Sequence, residues 1–291
     1  MPRKRSSKEE LVPLLRGTFN SFFTHPIILF PFITIAFIQI LVLEILYFSP
    51  RFPLSAFFNP IIQTLWGEAF IHYPNNFIIL PKLFRNAQLS LYLFVSSFLI
   101  AVAISIISAI NDNRKIKFSK ACRDVLSQYV HVFIAALLTL GVFWGFFRAY
   151  NLLVVRVLQI KSAEGIFPVI KTIVIEGAPY FNLIIGALVT TLFAFVLPLI
   201  VIDKRKIFSA VLLNFRYLWG SFWLVAALVV APVLLYVPVL MLRGNAAGIA
   251  QATFPEAGAL ILAAGILVTM FIDAMIYTAI TMFYLLKKES A

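Results

Sequence analysis

Apolar residues along this chain run in six long blocks, 27–48, 89–110, 130–155, 180–202, 222–242 and 258–286. A helix needs roughly 20 such residues to cross the hydrocarbon core of a bilayer. The last block is long enough to tilt or to run past the membrane surface. A β-barrel would instead alternate polar and apolar residues in segments of about ten, and Leu183-Ile184-Ile185-Gly186-Ala187-Leu188-Val189 does not alternate. The pattern therefore predicts an all-α integral membrane fold, six transmembrane helices paired as three hairpins within one polytopic domain, 1–291.

Between the blocks lie shorter stretches with apolar positions at helical spacing. Leu11, Leu14, Leu15, Thr18, Phe19, Phe22 and Phe23 share one face of a helix, as do Val211, Phe215, Leu218, Trp219 and Phe222. Such amphipathic helices are expected in the membrane interface, apolar side toward the acyl chains and Lys/Arg toward the head groups. Two of the connections also share a string. Lys117-Phe118-Ser119-Lys120-Ala121 precedes the third block and Lys206-Ile207-Phe208-Ser209-Ala210 the fifth, aligned on Phe-Ser by one deleted residue. The chain thus reads as three copies of amphipathic helix, span, loop, span, at 1–110, 111–202 and 203–291.

The basic linker Lys204–Ala210, leading through Asn214-Phe215-Arg216-Tyr217-Leu218-Trp219-Gly220-Ser221-Phe222-Trp223, resembles the polytopic membrane domain found beside some bacterial glycerophosphodiester phosphodiesterases. Stand-alone six-span bacterial proteins are similar. The resemblance implies a membrane domain without the phosphodiesterase, which is a separate soluble domain in that family, and it carries over no catalytic residue.

Composition agrees with the pattern. Of 291 residues 62% are hydrophobic and 12% charged, with a mean hydropathy of +0.98. Soluble domains have about 45–50% apolar and 25% charged residues, so a soluble enzyme, a disordered chain and a secreted disulfide scaffold are excluded. A single cysteine, Cys122, excludes an intramolecular disulfide and a multi-cysteine zinc site.

Charge sets the expected orientation. Sixteen of the 24 Lys and Arg fall in the N-terminal segment, 111–129, 203–221 and the C-terminus. Short basic loops stay in the cytoplasm, which predicts cytoplasmic N- and C-termini in a bacterial-type inner membrane. No cleavable signal peptide is expected. Lys115, Lys117, Lys120, Arg123, Lys204, Arg205 and Lys206 are candidate contacts for anionic phospholipid on the cytoplasmic face; nucleic acid is not an expected partner.

The remaining connections carry less information. Residues 49–88 are rich in aromatic residues and broken by Pro50, Pro53, Pro60, Pro74 and Pro81, which suggests short helices in the outer interface, either a collar or a lid. A helix is expected over 166–176, and 243–257, with Gly244, Gly248 and Pro255, reads as a mobile turn.

Polar groups within the blocks are the candidates for function. Asp273 lies midway through the sixth. It is either a structural hydrogen-bonding group or a carboxyl that loads and releases a proton in a proton-coupled transporter. Glu44, near the outer end of the first block, either reaches the head groups or pairs with Arg148 or Arg156. Gly141 and Gly145 have the GxxxG spacing that permits close helix packing. Pro232 and Pro238 should kink the fifth block. His25, His72 and His131 have no metal-ligand spacing, and no nucleotide, hydrolase or metalloprotease motif is present. No cofactor or metal is expected. The leading expectation is a non-enzymatic, lipid-associated accessory or membrane-organising protein, with a membrane-protein partner possible. The alternative is a transporter or channel for a small or amphiphilic solute.

Overall fold

The computed structural model describes residues 7–73, 75–114, 117–159 and 167–289. The helices are α1 (Ser7–Thr24), α2 (Phe30–Tyr47), α3 (Leu54–Trp66), α4 (Asn76–Leu91), α5 (Ser97–Asn111), α6 (Phe118–Leu126), α7 (Tyr129–Gln159), α8 (Phe167–Glu176), α9 (Ala178–Leu192), α10 (Val196–Val201), α11 (Ile207–Trp219), α12 (Phe222–Val233), α13 (Val237–Gly244), α14 (Ala246–Ala252) and α15 (Ala257–Glu289). Six helical stretches are long and apolar enough to cross a membrane: Pro26–Tyr47, Asn76–Asn111, Tyr129–Gln159, Tyr180–Val201, Phe222–Gly244 and Ala257–Glu289. The chain is a multi-pass helical membrane protein.

Two connections differ from expectation. The second span begins at Asn76, not 89, because α4 runs through Pro81 and joins α5 by a π-turn at Tyr92–Ser96. Pro81 sits near the start of α4, where few hydrogen bonds lie upstream for it to break. In the third connection the stretch expected to be a mobile turn forms α14, since its alanines favour helix despite Gly248. The helix expected over 166–176 is present as α8.

The six spans form an inner and an outer set. In the second and fourth spans 61% of the apolar window is buried and in the sixth 39%, against 17–33% in the first, third and fifth. α5 packs against both α10 and α15. Each outer span leans on a neighbouring inner one: α2 on α15, α7 on α5, and α12 on α9. The pre-span helices follow the same rotation. α6 packs on α5, α11 on α10, and α1 on α15, in each case on the span that precedes it if α15 is taken as preceding α1.

α6 and α11 also begin alike. After α5 the backbone turns left-handed at Asn113, φ 54°, and after α10 it does so at Lys204, φ 55°. Lys117 and Lys206 are then extended and start the next helix. From that point the two helices align without a gap. Ala121 and Ala210 are both fully buried, and the next buried turn is Val125 in one and Asn214 in the other. The length difference therefore falls in the turn before the helix, which corrects the Phe-Ser alignment.

One end of the bundle is tied together by polar groups. Tyr284 Oη and Lys288 Nζ each donate to Asp203, at 2.6 Å. Lys287 Nζ donates to the Tyr217 carbonyl (2.6 Å) and to Ser221 Oγ (3.0 Å), and Asn111 Nδ2 donates to Glu289. The C-terminal turns of α15 thus bind the end of α5, the α10–α11 link and the end of α11. This face carries Lys117, Lys120, Arg123, Lys204, Arg205 and Lys206, all exposed.

Candidate functional site

Three of the six spans, the second, fourth and fifth, are not regular helices. The fourth breaks at Phe193–Phe195, between α9 and α10. Ala194 N–H turns back to the Thr191 carbonyl and Val196 N–H to the Phe193 carbonyl. A regular helix would have used the Leu192 carbonyl and the Phe195 N–H instead, and within hydrocarbon neither group can find water. Asn214, fully buried on α11, supplies both partners. Its Oδ1 accepts from Phe195 N at 2.9 Å and its Nδ2 donates to the Leu192 carbonyl at 2.7 Å. The fifth span changes to a 3-10 turn at Leu234–Tyr236, between Pro232 and Pro238, where the sequence placed a kink. In the second span Tyr129 Oη donates to the Phe94 carbonyl within the π-turn.

These three irregular segments border two cavities. The larger, about 270 Å³, lies between α9, the α12–α13 turn and α15. Its polar lining is Asn182 and Thr190 from α9, Tyr236 from the 3-10 turn, and Thr269, Asp273 and Tyr277 from α15. A smaller space of about 40 Å³ lies between the π-turn, α7, α9 and the fourth-span break, lined by Tyr92, Ser97, Thr139 and Phe193 among others. Thr190 and Tyr277 belong to both.

The cavity follows from how α9 and α15 run. At one end Phe195 packs on Tyr284, ring centroids 6.0 Å apart, and Asp203 holds Tyr284 and Lys288. Away from that end α9 and α15 do not pack closely on each other. Asn182, Gly186 and Thr190 fall at i, i+4 and i+8 on α9, and Thr269, Asp273 and Tyr277 do so on α15. Each stripe spans about 12 Å along its helix, running away from the basic face. A Cβ built on Gly186 would meet no atom within 4 Å, so the glycine faces open space. Asp273 is partly exposed and lines this space beside Tyr277. It makes no ion pair or hydrogen bond among the described residues.

Beyond the rim of this cavity Arg243 folds back on α15. Its guanidinium carbon lies 5.5 Å from the Tyr236 ring centroid. Gly265 makes the approach possible: a Cβ there would stand 2.6 Å from an Arg243 terminal nitrogen. Arg243 Nε is buried without a hydrogen-bond partner.

The other sequence candidates do not converge. Glu44 and Arg148 are both exposed and form no ion pair, with each other or with Arg156, which corrects that expectation; α2 and α7 lie on different sides of the inner spans. Gly141 and Gly145 are exposed on α7 with nothing within 4 Å of a Cβ on either, so they do not serve close packing within the chain. His25 is exposed, whereas His131 keeps a buried Nδ1 with no partner. Among the described residues no group of three or more His, Cys, Asp or Glu could hold a metal. Lys115 lies outside the described residues; the other six basic candidates are exposed on one face, as above.

Sequence reading found Asp273 and the proline kink but missed Asn182, Gly186, Thr190, Tyr92, Tyr277 and Asn214. A signal was there in part: small and polar residues recur every fourth position on two otherwise apolar spans. In comparisons with known proteins, no family model, no curated protein and no solved structure matches the chain.

Proposed function

We propose that the protein binds and passes a small or amphiphilic solute through the cavity between α9 and α15. One observation carries this reading: a carboxyl without a partner, Asp273, lines a space of about 270 Å³ at mid-span. Burying an ionisable group at such a depth is costly unless it faces a wet cavity, a partner or a ligand. The irregular segments support the same reading, since broken helices inside a membrane are tolerated where they line a cavity or are buried in protein. The second space, sharing Thr190 and Tyr277, gives the path a continuation toward the π-turn and marks that pair as the constriction.

The three copies of helix, span, loop, span fit the packing: the pre-span helices, the outer spans and the inner spans each repeat in one rotational sense. In this arrangement α9 and α15 are the two inner spans that fail to close on each other, and the cavity fills the gap. In this reading the basic face is cytoplasmic, with both termini inside by the charge rule, and the cavity runs toward the outer side. A second reading rests on the six exposed basic residues, which make this face a seat for anionic phospholipid. The two readings are compatible, and the likeness of 204–223 to the phosphodiesterase-associated domains fits either.

The test is cysteine accessibility in a Cys122→Ser background. Gly186→Cys and Thr190→Cys should react with a small charged thiosulfonate from the aqueous phase, whereas Ile184→Cys, exposed on the opposite side of α9, should not. Unreactive thiols at 186 and 190 would refute a water-filled path. Liposomes should then show solute flux that Asp273→Asn abolishes, and undiminished flux would remove Asp273 from the path.

A further inference from the structure

We infer that the ligand of this cavity is an organic cation, a protonated or quaternary amine with an apolar body, bound with its charge between Asp273 and the Tyr236 and Tyr277 rings. The inference rests on the reading that the cavity takes a solute, and specifies its class. Asp273 is the one charged residue in the lining among the described residues. The lining itself holds no basic side chain: Arg243 lies beyond the rim, packed at Gly265 and over Tyr236, and Lys287 is bound to Tyr217 and Ser221 at the far end of the helix. An anion at the level of Asp273 would meet a like charge and no basic residue in the lining. A neutral solute would leave the carboxyl unpaired. A cation supplies what the site lacks.

The rest of the lining selects the kind of cation. A small metal ion is bound by several oxygens converging at 2.3–2.6 Å or less, and no such cluster of carboxylates or imidazoles exists among the described residues. Here a single carboxyl stands in a space many times larger than such an ion, with Leu183, Ala187, Val233, Ile272 and Ile276 making up much of the wall. Apolar walls stabilise an apolar body, and aromatic rings in the lining, Tyr236 and Tyr277, attract a diffuse positive charge. The asymmetry of the wall also orients the ligand: charged end at the level of Asp273 and Gly186, body along the α9 and α12 side.

Three probes of similar shape separate the possibilities: benzyltrimethylammonium, its uncharged isostere neopentylbenzene, and benzenesulfonate. Binding to the full chain in lipid nanodiscs is measured by calorimetry and by the shift of the melting temperature. The cation should bind at least tenfold more tightly than either of the others. Asp273→Asn should cost at least tenfold for the cation and leave the neutral probe unchanged. Tyr236→Leu should cost about threefold or more. Equal binding of cation and isostere by the unmodified protein, which needs no variant to fold, would overturn the inference, as would preference for the sulfonate. The cysteine experiment keeps the two claims apart. Reactive thiols at 186 and 190 without cation binding leave the solute reading and remove the cation, whereas Asp273-dependent cation binding with unreactive thiols keeps the site and removes the water-filled path.

Discussion

Replacing Asn214 by leucine tests the mechanism that holds the interior open. The side chain is fully buried and makes two hydrogen bonds, 2.9 Å to Phe195 N and 2.7 Å to the Leu192 carbonyl. Both backbone groups are orphans of the break in the fourth span, so leucine, of similar size, strips a buried donor and a buried acceptor of their partners. In water-soluble proteins each loss would cost about 1–3 kcal/mol. Interhelical bonds in membranes average nearer 0.6 and reach about 1.7 kcal/mol, because the chain unfolded in the membrane finds other partners. Here that reference state matters in a specific way. A regular helix through 192–196 would satisfy both groups internally, so the variant can relieve the loss by straightening. Two such bonds are worth about 1–3 kcal/mol and straightening returns part of it, so the expected cost is about 1–2 kcal/mol, together with altered amide exchange at Phe195 and loss of the small space beside the π-turn. Reversible unfolding in mixed detergent micelles measures the first, and hydrogen exchange in nanodiscs the second. An Asn214→Leu protein within about 0.5 kcal/mol of the unmodified one, with exchange at Phe195 unchanged, would show that the break does not depend on this side chain.

Three further expectations follow from the same geometry. Gly186→Leu should project into the cavity, since its Cβ enters open space, so stability should hold or rise by about 1 kcal/mol as a helix-interior glycine is removed, while solute flux and cation binding fall at least tenfold; full activity with this side chain in place would refute the cavity as the site. At Asp203, loss of the acceptor should be felt mainly through Tyr284, fully buried, rather than Lys288, whose side chain is 48% exposed. Asp203→Leu is expected to cost about 2–3 kcal/mol and Lys288→Met about 0–1, and equal costs in detergent unfolding would contradict that division. Cys122, outside the spans on α6, has its thiol pKa raised by burial, with a smaller opposing effect of a backbone hydrogen bond. Only the thiolate reacts, so alkylation at neutral pH should be slower than for a free cysteine, with its rise displaced to higher pH. In intact cells an impermeant maleimide should leave Cys122 unlabelled until the inner face is opened, and labelling from outside would reverse the orientation.

Hydrophobic block length alone determined that this chain forms six helical spans, because a backbone in hydrocarbon must satisfy its hydrogen bonds within the segment. The same one-dimensional signal placed the proline kink in the fifth span and singled out Asp273 as a charge at depth. The sequence also offered the likeness of Lys117–Ala121 to Lys206–Ala210, and the buried alanines Ala121 and Ala210 set the register in which the two helices align. Tertiary structure decided what stands opposite what. Whether Glu44 meets Arg148 depends on which inner span each outer helix leans on, and periodicity along one helix says nothing of its rotation about a neighbour. Asn214 looked like part of a family-like string until the fold placed it against a broken backbone nineteen residues earlier. Gly186 and Asp273 lie 87 positions apart and share a cavity only because the fourth span meets α15 at Phe195 and Tyr284 while α9 itself does not pack closely on α15. Membrane insertion is a property of each segment against lipid, and so can be read locally; a cavity is what packing leaves unfilled, and belongs to no segment by itself.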